Sequence, residues 1–487
     1  MTTSDLATTQ PVEAGPSQIL TVTQWTSPVA TVGLTVLWVL WAATQPGSTS
    51  LIVLVLAIAG YIAMLASSRA GTAVPMNYAI ALSALALAIV ALAPIHHSRD
   101  LYLYNSYGRL VSEHDINPFF NAPNSAPGDT TLGFVALRWH QQTSMYGPVF
   151  IGLAAFVSSI AGTSELAIRL LWQTVMASAA FTAVLLIARR TNNPIAVLAL
   201  GCSPVILAAV NDAHNDLLIG LALLGVVLLV EDRRYGLASA IAALAIAIKL
   251  TVAFPVLALI AWVLWRRGTR PALQFGVPIT AAVTAAYLLV GGISSLKSVQ
   301  DSAGDDSRFS IWKSLRIQQI DSLQQLGSTR DAAIDAVAQN ISRYSLALLL
   351  PCIFVVLWQY RRSKHPGEAA TIVGLILCTA GAYVMPWYAA MLLPVALLAW
   401  TCRATLLLQA QSAFLLVAYA NGAGHEPLSR FGQYLERSAT LINLVLLTLV
   451  LVWARPSEEA AEPGPRFTVK FLERKISTQS SKEATSD

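Results

Sequence analysis

The residues best equipped for chemistry in this 487-residue chain crowd into one loop between hydrophobic stretches. It reads His96-His97-Ser98-Arg99-Asp100-Leu101-Tyr102-Leu103-Tyr104-Asn105-Ser106-Tyr107-Gly108-Arg109. It continues through Asp115-Ile116-Asn117-Pro118-Phe119 and Trp139, and ends at Tyr146-Gly147-Pro148. A connector has no need of so many Tyr, Trp, Asn and single charges. Aromatic faces and planar polar groups suit sugar rings, and Tyr and Trp also suit a membrane interface. An interfacial belt accounts for some of these aromatics. It does not account for an acid directly at the end of a hydrophobic helix. That acid is Asp100. Facing a cavity with apolar walls, its carboxylate can be held as a general base toward a hydroxyl. Ionisable groups at membrane depth are expensive and tend to mark function. A helix-end acid that is simply solvated is the alternative.

Three further groups lie between or at the ends of apolar runs. Asn211-Asp212-Ala213-His214-Asn215-Asp216 offers donors and acceptors that could read a polar substrate. Two carboxylates and one His are too few for a metal site, and an Asn/Asp helix cap is the architectural alternative. Lys249 ends the apolar segment Ala242–Ile248. It can bind a phosphate as a point charge or snorkel to the interface. Arg109, Arg138, Arg308, Lys313 and Arg316 are further cations on the same expected side, of which a phosphate ligand would need one or two. Met385-Pro386-Trp387-Tyr388 opens a late span, where Trp and Tyr suit an aromatic belt or a cavity lining.

The elements that must position these residues are membrane helices. Of the residues, 55% are hydrophobic and 12% charged, about half the charge of a soluble domain. Uncharged runs recur, such as Leu51–Ser67, Ala79–Ile95 and Ala238–Ile248, and many runs meet or fall just short of the roughly 20 residues a spanning helix needs. The expected fold is therefore all-α and polytopic, with about 11 to 15 membrane segments. A polar tail (1–27), a membrane domain (28–454) and a charged tail (455–487) divide the chain. Loops 96–146, 292–342 and 421–437 are the long connections.

Lys and Arg placement predicts sidedness. Arg189–Arg190, Arg233–Arg234, Arg266–Arg267–Arg270, Arg361–Arg362–Lys364 and Arg403 occupy alternate loops, the pattern of a cytoplasmic side. The loop with Asp100, the Asn211–Asp216 turn, Lys249 and Pro386–Tyr388 then face outward. One parity conflict follows: two external connections need an even number of crossings between them, but segments 147–161, 166–188 and 194–210 make three. The segment at 147 is short for a span and is the expected exception.

Several function classes drop out. The net charge of +5 is scattered over short loops and the C-terminal tail, with no basic face for nucleic acid. Cys202, Cys352, Cys378 and Cys402 lie in or beside apolar segments without metal-type spacing and read as small buried hydrophobes. No internal repeat of the transporter kind is visible.

Taken in order, the motifs resemble a known family. An acid follows an early span. Then come Tyr104-x-x-x-Gly108-Arg109, Asn117-Pro118-Phe119, Tyr146-Gly147-Pro148, Arg169, His214-Asn215-Asp216, Lys249 and Pro386-Trp387-Tyr388. This order resembles integral-membrane glycosyltransferases of the GT-C superfamily, most of all the polyprenyl-phosphate-mannose-dependent alpha-1,6-mannosyltransferases of bacterial lipoglycan synthesis. Phe119 departs from the usual Tyr, and Asp115 stands as a rival acid. The resemblance implies a cell-membrane enzyme whose catalytic site, built on the first large loop, faces outward. Its donor would be a sugar, mannose by resemblance, on a polyprenyl phosphate. Its acceptor would be a glycan or glycolipid. Asp100 carries over as the catalytic base of an inverting single displacement. Tyr104, Arg109, Asn117, Tyr146, His214, Asn215, Asp216, Lys249, Trp387 and Tyr388 carry over as substrate-binding residues. No cofactor or metal is required. A transporter or lipid flippase without transferase activity is the competing expectation.

Overall fold

The computed structural model describes residues 28–40, 48–69, 74–95, 98–302, 309–399, 402–420 and 430–456. Residues 1–27 and 457–487, His96, His97, Arg308 and residues 421–429 of the loop 421–437 lie outside the described residues. Among those described, every regular element is a helix. In chain order they are α1 (Pro28–Leu40), α2 (Ser48–Arg69), α3 (Met76–Leu92), α4 (Asp100–Ser112), α5 (Pro148–Ala161) and α6 (Glu165–Thr191). Next come α7 (Pro194–Gly201), α8 (Pro204–Asn211), α9 (Asp216–Glu231), α10 (Tyr235–Ile248), α11 (Ala253–Arg267) and α12 (Thr269–Leu289). The remainder are α13 (Lys297–Ser302), α14 (Lys313–Gln325), α15 (Arg330–Tyr360), α16 (Pro366–Ala380), α17 (Tyr388–Ala396), α18 (Arg403–Ala420) and α19 (Arg430–Val452).

The protein is an all-helical, polytopic membrane protein, as its composition requires. Among the described residues, four helices are long and apolar enough to cross by themselves: α6, α11 with the turn before it, α12 and α15. The pair α7 and α8 makes a fifth span if its 43° bend is counted as one crossing. The bend has a local cause. Pro194 and Pro204 each start a helix, where the missing N–H is harmless, and Pro204 cannot continue α7. Eight shorter apolar helices accompany these spans. All four cysteines are free and buried.

The basic turns gather at one end of the bundle. The Glu231 carboxylate, closing α9, receives Arg190 Nη2 at 2.8 Å from the end of α6. It also pairs at 2.6 Å with His365 Nε2 just before α16. Trp262 Nε1 of α11 donates to Ser363 O in the same place (3.0 Å). The opposite end collects the polar clusters. Arg169 Nη1 near the start of α6 donates to Ala93 O after α3 (2.6 Å). Asn211 Nδ2 at the end of α8 donates to Val90 O (3.0 Å) and Pro94 O (2.9 Å).

These contacts resolve the parity conflict. Helix α5 starts at the polar end, where Gly147 N donates to Ile248 O at the end of α10 (2.9 Å). The next helix starts there too, since Tyr102 OH of α4 donates to Glu165 Oε1 (2.9 Å). So α5 leaves from and returns to one side. It does not cross, and two crossings, α6 and the bent α7–α8 pair, separate the two polar connections. Fourteen residues make about 21 Å of helix, short of a roughly 30 Å hydrocarbon core. Phe156 and Ile160 stay 64% and 58% exposed on its outer face, which suits a helix lying in the interface. It runs beside α4, and Gly108 sets their spacing: a Cβ there would sit 2.2 Å from Ala154 O.

Hydropathy underestimates one element. The span expected at 342–360 begins at Arg330, so most of the expected loop 292–342 is helical, with α13 and α14 ahead of it. Residues 330–341 are too polar to read as membrane. Yet Ala333, Val337, Ile341, Ser345 and Leu349 are buried at four-residue spacing, one stripe down one face. The Thr329 hydroxyl caps the start by accepting from Ala332 N.

Candidate active site

A cavity of about 270 Å³ opens at the polar end of the bundle. Its polar wall carries Asp100, Tyr104, Trp139, Tyr146, Asn215, Asp216, Lys249, Trp387 and Tyr388. Four separate stretches of chain deliver these groups. Asp100 is the first residue of α4. Its backbone N–H donates to Ser98 Oγ (3.2 Å). Tyr104, one turn further on, packs edge-to-face against Tyr146 and Phe150, with ring centroids 5.1 and 4.9 Å apart. Gly147 lets the chain before α5 close on the end of α10, because a Cβ there would lie 2.2 Å from Ala247 O.

The Asn211–Asp216 turn is built by its backbone. His214 N donates to Ala209 O (2.8 Å) and Ala213 N to Val210 O (3.1 Å). Ala213 occupies the left-handed region at φ 54°. This is a Schellman closure of α8, with a residue bearing a Cβ where glycine is usual. Such a strained position persists only where its surroundings dictate it. The turn places His214 beside Asp100 and Asp216 in the cavity wall. His214 Nδ1 lies 3.7 Å from Asp100 Oδ2, and its ring stacks on Trp387 at 3.8 Å with 13° between planes. Lys249 sits in extended backbone between α10 and the 3-10 turn Leu250–Val252. Its Nζ makes a 2.9 Å ion pair with Asp216 Oδ1 and lies 4.2 Å from the Tyr388 ring centroid.

Electrostatically the site is unsettled. Burial pushes the Asp100 carboxyl above the usual carboxylate range, against a hydrogen bond from Ser98 and the charges of Arg138 and Lys249. Neither ring nitrogen of buried His214 has a hydrogen-bond partner, nor has the side-chain N–H₂ of buried Asn215. An unsatisfied buried polar group is costly and asks for an explanation.

The structure brings most of the expected site residues together and separates two. Arg109 does not line the cavity. Its Nε pairs with Asp129 Oδ2 (2.8 Å) and its Nη1 donates to Gly162 O (3.3 Å). His114 Nε2 reaches the same oxygen at 2.7 Å, while Oδ1 accepts from Thr131 N and Oγ1. Burial alone would raise the Asp129 carboxyl, but these donors outweigh it and hold it down at about 2. Arg109 is therefore a loop clamp, because an acid distant in sequence claims its guanidinium. Asn117 is likewise a turn-former: its Oδ1 accepts from Phe119 N (3.0 Å) and its Nδ2 donates to Val290 O (3.1 Å). The rival acid Asp115 is exposed beyond the far end of α4 and outside the cavity. His214 stands behind Asp100 rather than in the cavity wall.

Other lining residues carried no sequence signal. Phe254, Leu346, Leu349 and Met391 form an apolar flank of the cavity, and in sequence they are ordinary residues of apolar helices. Gln173 did carry one, as a lone amide within α6. Its Nε2 donates to Ala93 O (3.0 Å) and Asn211 O (2.7 Å), joining the ends of α3 and α8 beside the site.

Known proteins share this chain's pattern. It is 26% identical over 358 residues to alpha-(1->6)-mannopyranosyltransferase A of Mycobacterium tuberculosis, covering 67% of this chain and 66% of that protein. It is 23% identical over 346 residues to the protein of the same name from Corynebacterium glutamicum, covering 64% of this chain and 69% of that protein. The chain thus spans about two thirds of the length of these relatives. Residues 11–266 match the family described as alpha-(1->6)-mannopyranosyltransferase, N-terminal domain. That stretch includes Asp100, the Asn211–Asp216 turn and Lys249, while Trp387 and Tyr388 lie beyond it. The chain belongs to the alpha-(1->6)-mannopyranosyltransferase family.

Proposed function

We propose that this protein is a membrane mannosyltransferase that moves mannose from a polyprenyl-phosphate donor to a hydroxyl of a glycan or glycolipid. The observation that carries this reading is the shared cavity of Asp100, Lys249 and the aromatic group Tyr104, Tyr146, Trp387 and Tyr388. An acid, a cation and sugar-sized aromatic faces meet there beside an apolar flank. Asp100 removes the proton of the acceptor hydroxyl as its oxygen attacks the anomeric carbon. The bond to the phosphate oxygen breaks on the opposite face, and the polyprenyl phosphate leaves with the electron pair. One displacement inverts the centre, so a beta-linked donor yields an alpha product.

The leaving phosphate gains negative charge, which calls for cations fixed in advance. Lys249 already faces Asp216, so its ammonium is balanced by that carboxylate and a second cation is called for. Of the other candidate cations, Arg109 is held by Asp129. Arg138 is the better placed: it lies over the Trp139 ring at 4.8 Å from its centroid, and Trp139 lines the cavity. In this reading Lys249 and Arg138 bind the phosphate together, and the isoprenoid lies along Phe254, Leu346 and Leu349. Arginine and lysine then supply the charge, so the reaction needs no metal.

The site faces the external side in this proposal, because the opposite end holds the basic turns. Residues 28–454 act as one membrane unit between the two tails. The test is transfer of labelled mannose from polyprenyl-phosphate mannose by purified protein, wild type against Asp100→Asn. Product from the wild type and its loss in the variant are expected. Substrate flux across proteoliposomes without product would overturn the reading in favour of a transporter.

A further inference from the structure

We propose that Arg343 captures the donor's phosphate at the lipid-facing mouth of the cavity, before Lys249 and Arg138 receive it. The inference rests on the mannosyltransferase reading and adds the route by which the donor enters. A polyprenyl phosphate is confined to the bilayer, with its phosphate at headgroup level. It reaches a buried site sideways, through an opening between helices. The apolar flank of Phe254, Leu346 and Leu349 puts that opening between α11 and α15. Leu346 lines the cavity and is also 45% exposed on the outside of the bundle. One side chain thus belongs both to the cavity wall and to the lipid-facing surface.

Arg343 stands three residues before Leu346 on α15, a spacing that puts the two side chains side by side on the helix surface. Its chain neighbour Ser342 lines the cavity. Arg343 is exposed. Among the described residues no hydrogen bond or ion pair engages its side chain. The positions three and four away along the helix hold Gln339, Asn340, Leu346 and Ala347, so no acid on its own helix neutralises it.

Its depth fits a lipid headgroup. The stretch of α15 from Arg343 to Arg361 at the basic end rises about 27 Å, close to the roughly 30 Å of a hydrocarbon core. Arg343 therefore lies level with the phosphates of the outer leaflet, on the side where the loop bias disfavours arginine. Beneath it, Leu346, Leu350 and Phe354 are 45%, 58% and 69% exposed, an apolar track at four-residue spacing. A cation at headgroup depth, above an apolar track that starts in the cavity wall, matches an isoprenoid chain ending in a phosphate. An arginine that merely snorkels needs the depth but not the junction with the cavity. Capture makes and breaks no covalent bond. The guanidinium takes phosphate oxygens in place of water and yields them to Lys249 and Arg138 as the anomeric carbon approaches Asp100.

The experiment uses full-length protein in phosphatidylcholine vesicles, wild type against Arg343→Gln, Arg343→Lys and Arg330→Gln. The last removes an exposed charge from the outer end of the same helix. The acceptor probe is a synthetic alkyl alpha-mannoside. The donors are long-chain polyprenyl-phosphate mannose in the membrane and short-chain citronellyl-phosphate mannose added in solution. For Arg343→Gln the KM for the membrane-borne donor should rise about five- to tenfold, the scale of one exposed charge-assisted contact, with kcat within twofold. The KM for the soluble donor should rise much less. Arg343→Lys should retain most of the wild-type KM, and Arg330→Gln all of it. Phosphatidylglycerol, an anionic competitor, should raise the wild-type KM more than that of Arg343→Gln. An unchanged KM for the membrane-borne donor would overturn the proposal. So would an equal rise for both donors, which would put Arg343 in the final phosphate site, or a kcat loss that tracks lost thermal stability at wild-type KM, which would make it an anchor. No transfer by the wild type would instead overturn the mannosyltransferase reading, and this route with it.

Discussion

The two ends of the bundle use the same residue types to opposite effect. At the basic end Glu231, Arg190 and His365 join α6, α9 and α16 in a closed network, with pair distances of 2.8 and 2.6 Å. At the polar end Asp100, Asp216, His214 and Lys249 also combine carboxylates, an imidazole and a cation. There only Lys249 and Asp216 close, at 2.9 Å, while Asp100 and His214 stand 3.7 Å apart. A buried network that satisfies its members rigidifies a fold, and one left open stores chemistry. Residue type alone therefore does not separate a brace from a site; satisfaction does.

Substitutions at the two ends should separate in kind. The largest effect is expected from Asp100→Asn, a loss of transfer of about 10³-fold, within the usual range for a general base, with folding retained. A variant that keeps near-full rate would remove Asp100 as the base. In the wild type, the acid limb of kcat/KM should lie above the ordinary carboxylate range. Burial raises the Asp100 carboxyl, so its basic form is lost while the pH is still higher than that range.

Lys249→Met should come next, lowering kcat/KM by about 10²-fold through the lost stabilisation of a developing charge. Arg138→Gln should raise the KM for the donor by a smaller factor, read in the same assay. At the basic end, Glu231→Gln should do the reverse. Breaking a buried ion pair costs about 3 kcal/mol of stability, while the turnover of the folded fraction stays as in wild type. A kcat loss in Glu231→Gln without a stability loss would erase the contrast between the ends.

The smallest effect concerns the Arg109–Asp129–His114 clamp. Asp129 is held at about 2, below the roughly 3.9 of an unfolded aspartate. Its contribution is therefore complete above about pH 4 and lost as pH falls through about 2. Asp129→Asn should loosen the loop by about 2 kcal/mol, measured as faster amide exchange across α4 at neutral pH, and should flatten the acid dependence of that exchange. Chelation with EDTA should leave transfer unchanged, and a metal-restorable loss would contradict the cation assignment.

Much of the site was legible in sequence because its residues violate local expectation. An acid following an apolar run, a lysine ending one, and His-Asn-Asp between two are conspicuous against 55% hydrophobic residues. Arg109 and Asn117 were conspicuous for the same reason and yet serve the loop. Their partners, Asp129 and Val290, lie 20 and 173 residues away, beyond any local pattern. The apolar flank was illegible for the opposite reason, since Phe254 or Leu349 looks like any residue in a lipid-facing helix.

The sequence by itself determined that the chain is helical, lies in a bilayer and has two chemically different ends. Those properties follow from local hydropathy and from which loops hold arginine and lysine. Only the tertiary structure decided that α5 stays on one side, which cations remain available, and that His214 stands behind Asp100. Each of these depends on contacts between segments far apart in the chain, where the competition for a partner is settled by packing.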